Sequence, residues 1–182
     1  MSTRNLTGTT AIVTGASRGF GRATAISLAA RGAHVAGVAR SKARLAELEE
    51  KLGDAFTPEV ADVTDPAVAA DLVARYRPQT LVLNAGAAPP VGSITEQTWE
   101  TFSTNWNVDV RHVFGFIQAA LTAPLAPGSV VVSLSSGAAL LEGMGGELSA
   151  SQAGTSIGDL AVDDSFTAPA YLLGASGLQP LD

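Results

Sequence analysis

Thr14-Gly15-Ala16-Ser17-Arg18-Gly19-Phe20-Gly21 decides how this chain is read, because an apolar run, Thr10 to Val13, stops there and a helical pattern starts at Phe20. Three glycines fall within one turn. A strand that feeds a helix through such a turn brings backbone N–H groups close to a phosphate, and the helix N-terminus adds partial positive charge. Pyrophosphate is the ligand this geometry suits. Tight turns also use glycine on steric grounds alone, so the reading needs support from the rest of the chain.

Composition narrows the field. At 182 residues the chain has the length of one domain and could bury about two-thirds of its unfolded surface. Hydrophobic residues at 46%, aromatics at 5% and 19 glycines describe an Ala/Val/Leu core with many tight turns, as parallel α/β sheets require. A net charge of −6 argues against a nucleic-acid partner, which needs a basic face. The absence of cysteine excludes disulfides, thiol nucleophiles and thiolate metal sites, and two distant histidines make a metal centre unexpected. Met1 to Thr9 is polar, unlike a secretory signal, and no apolar run approaches the length of a membrane span. A soluble, cytoplasmic protein is the expectation.

Outward from the turn, strands and helices alternate. Phe20 to Arg31 reads as a small-residue helix ended by Gly32, and His34 to Ala39 as a buried strand with His34 at its start. Ser41 is positioned to cap the next helix, Lys42 to Leu52, whose Glu47, Glu49, Glu50 and Lys51 form a solvated face. Ala55 to Val60 is the third apolar run. It leads to Asp62-Val63 and to Asp65-Pro66, a cap and first-turn proline that start a helix running to about Tyr76. Thr80 to Leu83 is a fourth strand, emptying into Asn84-Ala85-Gly86 and a loop containing Pro89, Pro90 and Gly92. One long helix is expected from Glu96 to about Ala123, stopped by Pro124 and Pro127, with Trp99, Phe102, Trp106, Val110, Val113, Phe114 and Ile117 as core or subunit interface. Ser129 to Leu134 is a fifth strand ending in Ser135-Ser136-Gly137. Strands alternating with helices give right-handed βαβ units and one parallel sheet, in which the glycine turn, Asp62, Asn84-Ala85-Gly86 and Ser135-Ser136 share the carboxyl rim.

These residues resemble the short-chain dehydrogenase/reductase family. The glycine turn matches its TGxxxGxG motif, Asp62-Val63 its adenine-contacting pair, Asn84-Ala85-Gly86 its NAG motif, Asn107 the helix asparagine of its catalytic tetrad and Ser136 its catalytic serine. The match runs in order over residues 8 to about 140, with 141–182 diverged or shortened. The resemblance implies a Rossmann-like, doubly wound parallel sheet, truncated relative to the full family fold, and a single dinucleotide-binding domain over residues 1–182. It also implies a nicotinamide dinucleotide held by Gly15, Ser17, Arg18, Gly19, Phe20, Gly21, Arg40, Ser41, Asp62, Val63, Asn84, Ala85 and Gly86.

Cofactor choice follows from charge. A carboxylate at the end of the second strand would accept hydrogen bonds from the ribose 2′-OH of NAD(H) and repel a 2′-phosphate. That end reads Ala39-Arg40-Ser41, without an acid, and Arg18 lies in the glycine turn. Two guanidinium groups suit a 2′-phosphate, each charge-assisted hydrogen bond contributing roughly 1.5–3 kcal/mol before desolvation. NADP(H) is therefore expected over NAD(H).

The resemblance breaks where the family carries its YxxxK pair. About a dozen residues beyond Ser136, Leu148 stands at the tyrosine position and Gln152 at the lysine position. Leucine has no proton to give, and the Gln152 amide has no charge with which to lower a neighbouring pKa. Ser149 or Ser151 would need an adjacent base, and of the two tyrosines only Tyr171 could approach the site. The sixth strand and the substrate-covering segment of the family are also missing, and Ala170 to Gly174 looks like the last strand. That strand would pair with the fifth, pair with another subunit, or leave an exposed edge. With the apolar face of the long helix, this raises the expectation of a homo-oligomer. Three functions stay open: an NADP(H)-dependent oxidoreductase for a carbonyl or alcohol whose hydride transfer is weak or lost, a pseudoenzyme that binds nucleotide or a subunit without turnover, and a non-redox dehydratase or cyclase reusing the pocket. The small-molecule substrate is unknown.

Overall fold

The computed structural model describes residues 5–90, 92–134, 171–174 and 177–180. Five strands, β1 (Thr10–Thr14), β2 (His34–Ala39), β3 (Phe56–Val60), β4 (Thr80–Leu83) and β5 (Val130–Ser133), form one sheet in the order β3-β2-β1-β4-β5. Every pairing in it is parallel. The chain walks outward from β1 to β3, then returns to the other side of β1 for β4 and β5. Strand order thus reverses between β1 and β4, the point where such sheets open a crevice at their carboxyl ends.

The inner strands β2, β1 and β4 are apolar on both faces because helices cover both, whereas the edge strands β3 and β5 are partly exposed. Ala11 and Val13 of β1, Val35 of β2 and Val82 of β4 pack with Ala25 and Leu28 of α1 (Gly19–Ala30) and with Leu45 and Leu48 of α2 (Lys42–Leu52). Their neighbours Ile12, Ala36, Leu81 and Leu83 point the other way. They meet Ala69, Leu72 and Val73 of α3 (Pro66–Tyr76), together with Phe116 and Ala119 of a helix that follows β4. A strand that must be apolar on both sides reads as an unbroken run, so β2 and β4 fall on the residues the sequence indicates, as do the helices α2 and α3. Asp65 caps α3 as expected, its Oδ1 accepting from Ala67 N at 2.9 Å with Pro66 at the first helical position.

Four expectations need correction. Ser41 occupies the cap position of α2, yet its side chain makes no capping hydrogen bond. The long helix is not continuous: a single turn, α4 (Trp99–Phe102), starts at a Thr98–Thr101 capping box, a π-helical turn covers Trp106–Val110, and α5 (Arg111–Thr122) completes the run. Its apolar residues are only partly core: Phe116 is buried and Val113 and Ile117 pack against the core, but Trp99, Phe102, Trp106 and Phe114 are 73%, 58%, 69% and 65% exposed. Finally, β6 (Tyr171–Gly174) pairs antiparallel with β7 (Gly177–Pro180) in a separate two-stranded ladder rather than with β5. The short Ala175–Ser176 connection makes a hairpin partner nearer in the chain than any strand of the main sheet.

Candidate functional site

At the switch point the carboxyl ends of β1, β2 and β4 surround a cleft of about 960 Å³. Its walls carry Gly15, Ser17, Arg18, Gly19 and Phe20 from the glycine turn and Arg40 and Ser41 from the end of β2. Asp62 and Val63 beyond β3, Asn84, Ala85 and Gly86 beyond β4, and Asn107 from the π turn complete the sequence-expected set. Gly21 lies beneath rather than on the wall: a Cβ there would collide with Gly15 O and Asn84 Nδ2. Ser136, Leu148 and Gln152 lie outside the described residues, as does the side chain of Tyr171.

The turn is shaped by what it is tied to. Gly15 has φ +70°, and a Cβ there would come within 2.8 Å of Asn84 Nδ2, so glycine satisfies both the backbone and the packing. The N–H groups of Gly15 and Ala16 donate to Val38 O at 2.8 and 3.2 Å, which hooks the turn onto β2. The first N–H groups of α1 have no intrahelical partner, and Arg18 at the cap position supplies no side-chain bond to them. Gly19 and Phe20 line the cleft, so the positive end of a twelve-residue helix opens onto it.

Beneath the cleft, Thr14 acts as a hub that sequence reasoning missed. Its Oγ1 accepts from Asn84 N at 2.9 Å and Ala85 N at 3.0 Å, while Asn84 Nδ2 donates to Thr14 O at 3.1 Å. Asn84 is thereby a strut under the glycine turn. His112 of α5, fully buried, reaches the same hydroxyl with Nε2 at 3.4 Å, and its Nδ1 lies 3.3 Å from Val108 O. A carbonyl can only accept, so the proton facing Val108 O belongs on Nδ1, while the single hydroxyl proton of Thr14 lies toward Val82 O at 3.3 Å as well as toward His112 Nε2. Burial, partly opposed by Val108 O and Asp109, holds this imidazole below its ordinary 6.5 and neutral. The available signal was a threonine closing an otherwise apolar strand.

Charge in the cleft is lopsided. Arg44, one turn into α2, and Arg111, at the start of α5, join Arg18 and Arg40, whereas Asp62 is the single acid among the lining residues. The backbone N–H and the hydroxyl of Thr64 both bond to Asp62 Oδ1, at 3.0 and 2.8 Å, and with Arg40 and Arg111 nearby they hold its carboxyl below the usual range. Asp62 stays ionised with Oδ2 left to accept. Neither Arg44 nor Arg111 was singled out from sequence, because nothing in the spacing of α2 or α5 reveals which turn faces the rim. Asn107 stands on the opposite wall with Nδ2 bonded to Ser103 Oγ at 3.1 Å.

Comparison with known proteins agrees with this layout. The family model described as short chain dehydrogenase matches residues 9–156. The chain is 34% identical to L-xylulose reductase of Mesocricetus auratus over 129 residues, 69% of this chain and 52% of that protein. Among solved structures, a blue fluorescent protein from a metagenomic library in complex with NADPH superposes with a TM-score of 0.69 at 31% identity, covering 85% of this chain and 66% of that one. A 3-ketoacyl-(acyl-carrier-protein) reductase from Brucella melitensis complexed with NADH gives 0.59 at 29% identity, over 64% and 50% of the two chains. The chain spans about half the length of the curated relatives it matches. On the motifs at the rim, the strand order and the extent of the match, the chain belongs to the short-chain dehydrogenase/reductase family.

Proposed function

We propose that this chain binds NADP(H) in preference to NAD(H) and descends from oxidoreductases acting on a carbonyl or alcohol, with hydride transfer weak or lost in the chain as it stands. The observation that carries the cofactor reading is the arginine-rich cleft: four guanidinium groups against one carboxylate, in a protein of net charge −6. The residues fit the group. Gly15 and Gly21 let the turn pack closely on itself and on Asn84, the uncapped start of α1 faces a pyrophosphate, and Arg18, Arg40, Arg44 and Ser41 surround the end of β2, where no acid would repel a 2′-phosphate. When bound, the nicotinamide supplies or accepts a hydride. Asp62 Oδ2 is free to accept from an adenine amino group, and Asn107 and Ser136 are the polar residues carried over for the reacting end.

The proton is the weak point. Positioned acid–base groups contribute about 10²–10⁴ in rate, and Leu148 and Gln152 offer none. The same pair favours a second reading, a pseudoenzyme that keeps the nucleotide cradle without turnover. Calorimetric titration with NADPH and separately NADH, followed by a carbonyl panel under absorbance, tests both. Tighter binding of NADPH supports the arginine reading, and failure to bind either nucleotide would sink it. Slow nicotinamide oxidation favours the impaired enzyme, and binding without turnover favours the pseudoenzyme. Leu148→Tyr combined with Gln152→Lys is expected to raise turnover only if the remaining pocket can seat a substrate.

A further inference from the structure

His112 lies beneath the cleft rather than on its lining, yet it is tied to two of the walls. The ring is 1% exposed, and Phe116 lies edge-on to it with centroids 6.4 Å apart. Its Nδ1 lies 3.3 Å from the carbonyl of Val108, a cleft residue on the π turn. Its Nε2 lies 3.4 Å from Thr14 Oγ1, which directly precedes the glycine turn. That hydroxyl oxygen has both lone pairs engaged, by Asn84 N at 2.9 Å and Ala85 N at 3.0 Å, and its own proton points between Nε2 and Val82 O.

The arrangement admits a neutral ring and rejects a charged one. A cationic imidazole carries hydrogen on both nitrogens, so Nε2–H would become a third donor to an oxygen with two lone pairs. Either the ring withdraws from Thr14, or Asn84 or Ala85 loses its acceptor. The surroundings do little to offset the charge. Towards α5, the helix α3 presents Ala69, Leu72 and Val73, while its Asp71 and Arg75 are exposed and paired with each other. From β4 come Leu81 and Leu83, and Arg111 is exposed at the cleft. Asp109 is the carboxylate that acts on the ring, and it is already engaged, Oδ1 accepting from Ala87 N and Oδ2 from Asn105 Nδ2.

We infer that His112 is a positioning residue for the glycine turn and for the wall formed by Asn84 and Ala85, that it acts through the Thr14 hydroxyl, and that it does so only as the neutral imidazole. The inference rests on the dinucleotide reading above, because the backbone it holds is the backbone a pyrophosphate would meet. Acid is then expected to loosen nucleotide binding through a side chain that never touches the nucleotide.

NADPH affinity is measured by calorimetry between about pH 7.5 and pH 5 for the full chain, His112→Gln and His112→Phe, while NMR follows the His112 ring and the Asn84 and Ala85 amides in the free protein. The phosphates of NADPH titrate alike in all three experiments, so differences between the profiles report on residue 112. Over this range the unsubstituted chain is expected to lose about fivefold more affinity than either variant. His112→Gln keeps an acceptor for Thr14 and cannot titrate, so at pH 7.5 it is expected to match the unsubstituted chain, with His112→Phe about threefold weaker. The two amide resonances are expected to move in step with the ring. Parallel affinity profiles in all three proteins would overturn the positioning role, as would amides that stay fixed while the ring titrates. If the unsubstituted chain does not bind NADPH even at pH 7.5, the dinucleotide reading fails, and the amide titration still decides whether His112 positions the turn.

Discussion

Thr14 shows how much one side chain can organise. Two backbone amides converge on its oxygen and its single proton lies between Val82 O and His112 Nε2, so two strands, the post-β4 turn and a helix meet at one hydroxyl. The arrangement makes stability depend on pH with a definite sign. The native imidazole stays neutral below 6.5, whereas the unfolded chain takes up a proton there. The unfolded state binds more protons, so stability falls as pH drops through 6.5 towards the lower native value, and this ring contributes no slope above that window. Denaturant unfolding between about pH 7 and pH 5 is expected to show a falling midpoint, and His112→Gln to flatten that segment of the curve. An identical slope in the variant would remove His112 from the account.

Capping offers a paired test at the level of the elements. Asp65→Ala removes an observed cap bond and is expected to cost about 1 kcal/mol of stability, read from the denaturant midpoint. Ser41→Ala removes a cap-position hydroxyl that bonds nothing in the helix it precedes, so it is expected to leave stability within about 0.5 kcal/mol. Its effect should appear in NADPH affinity instead, and a large stability loss would contradict the observed geometry. The same contrast explains what was legible in the sequence. Strands such as His34–Ala39 and helices such as Pro66–Tyr76 are bounded by residues that act locally, so their limits can be read directly. The stretch 96–123 is different. Its period is helical throughout, but the break between α4 and α5 coincides with side chains that reach a loop eighteen and twenty-two residues earlier in the chain, a tertiary pull that periodicity does not encode. Likewise the rim residues were legible as motifs, while Arg44, Arg111, Thr14 and Asp109 acquire meaning only once the strand ends are brought together.

For the whole molecule, the outer side of the α4–α5 region is the conspicuous surface. Trp99, Phe102, Trp106, Val110, Phe114 and Leu121 are all exposed. Apolar surface of this kind commonly marks an association site, and we propose self-association through it. Phe114→Ser is expected to shift the sedimentation profile towards the monomer at equal protein concentration. A wild-type profile that is monomeric at every concentration would dismiss the proposal. No helix among the described residues is long and apolar enough to cross a membrane.

The π turn and α5 form one continuous stretch with three outlets. Asp109 holds the wall of the cleft, Phe116 and His112 face the interior, and Val110 and Phe114 face outward. Any event that shifts this stretch is felt at the other two. If copies of the chain associate through the outer side, thermodynamic reciprocity follows: whatever factor association contributes to nucleotide affinity, nucleotide must return to association. A dissociation constant for the nucleotide would then vary with protein concentration, and a self-association constant with nucleotide concentration, by one shared coupling free energy.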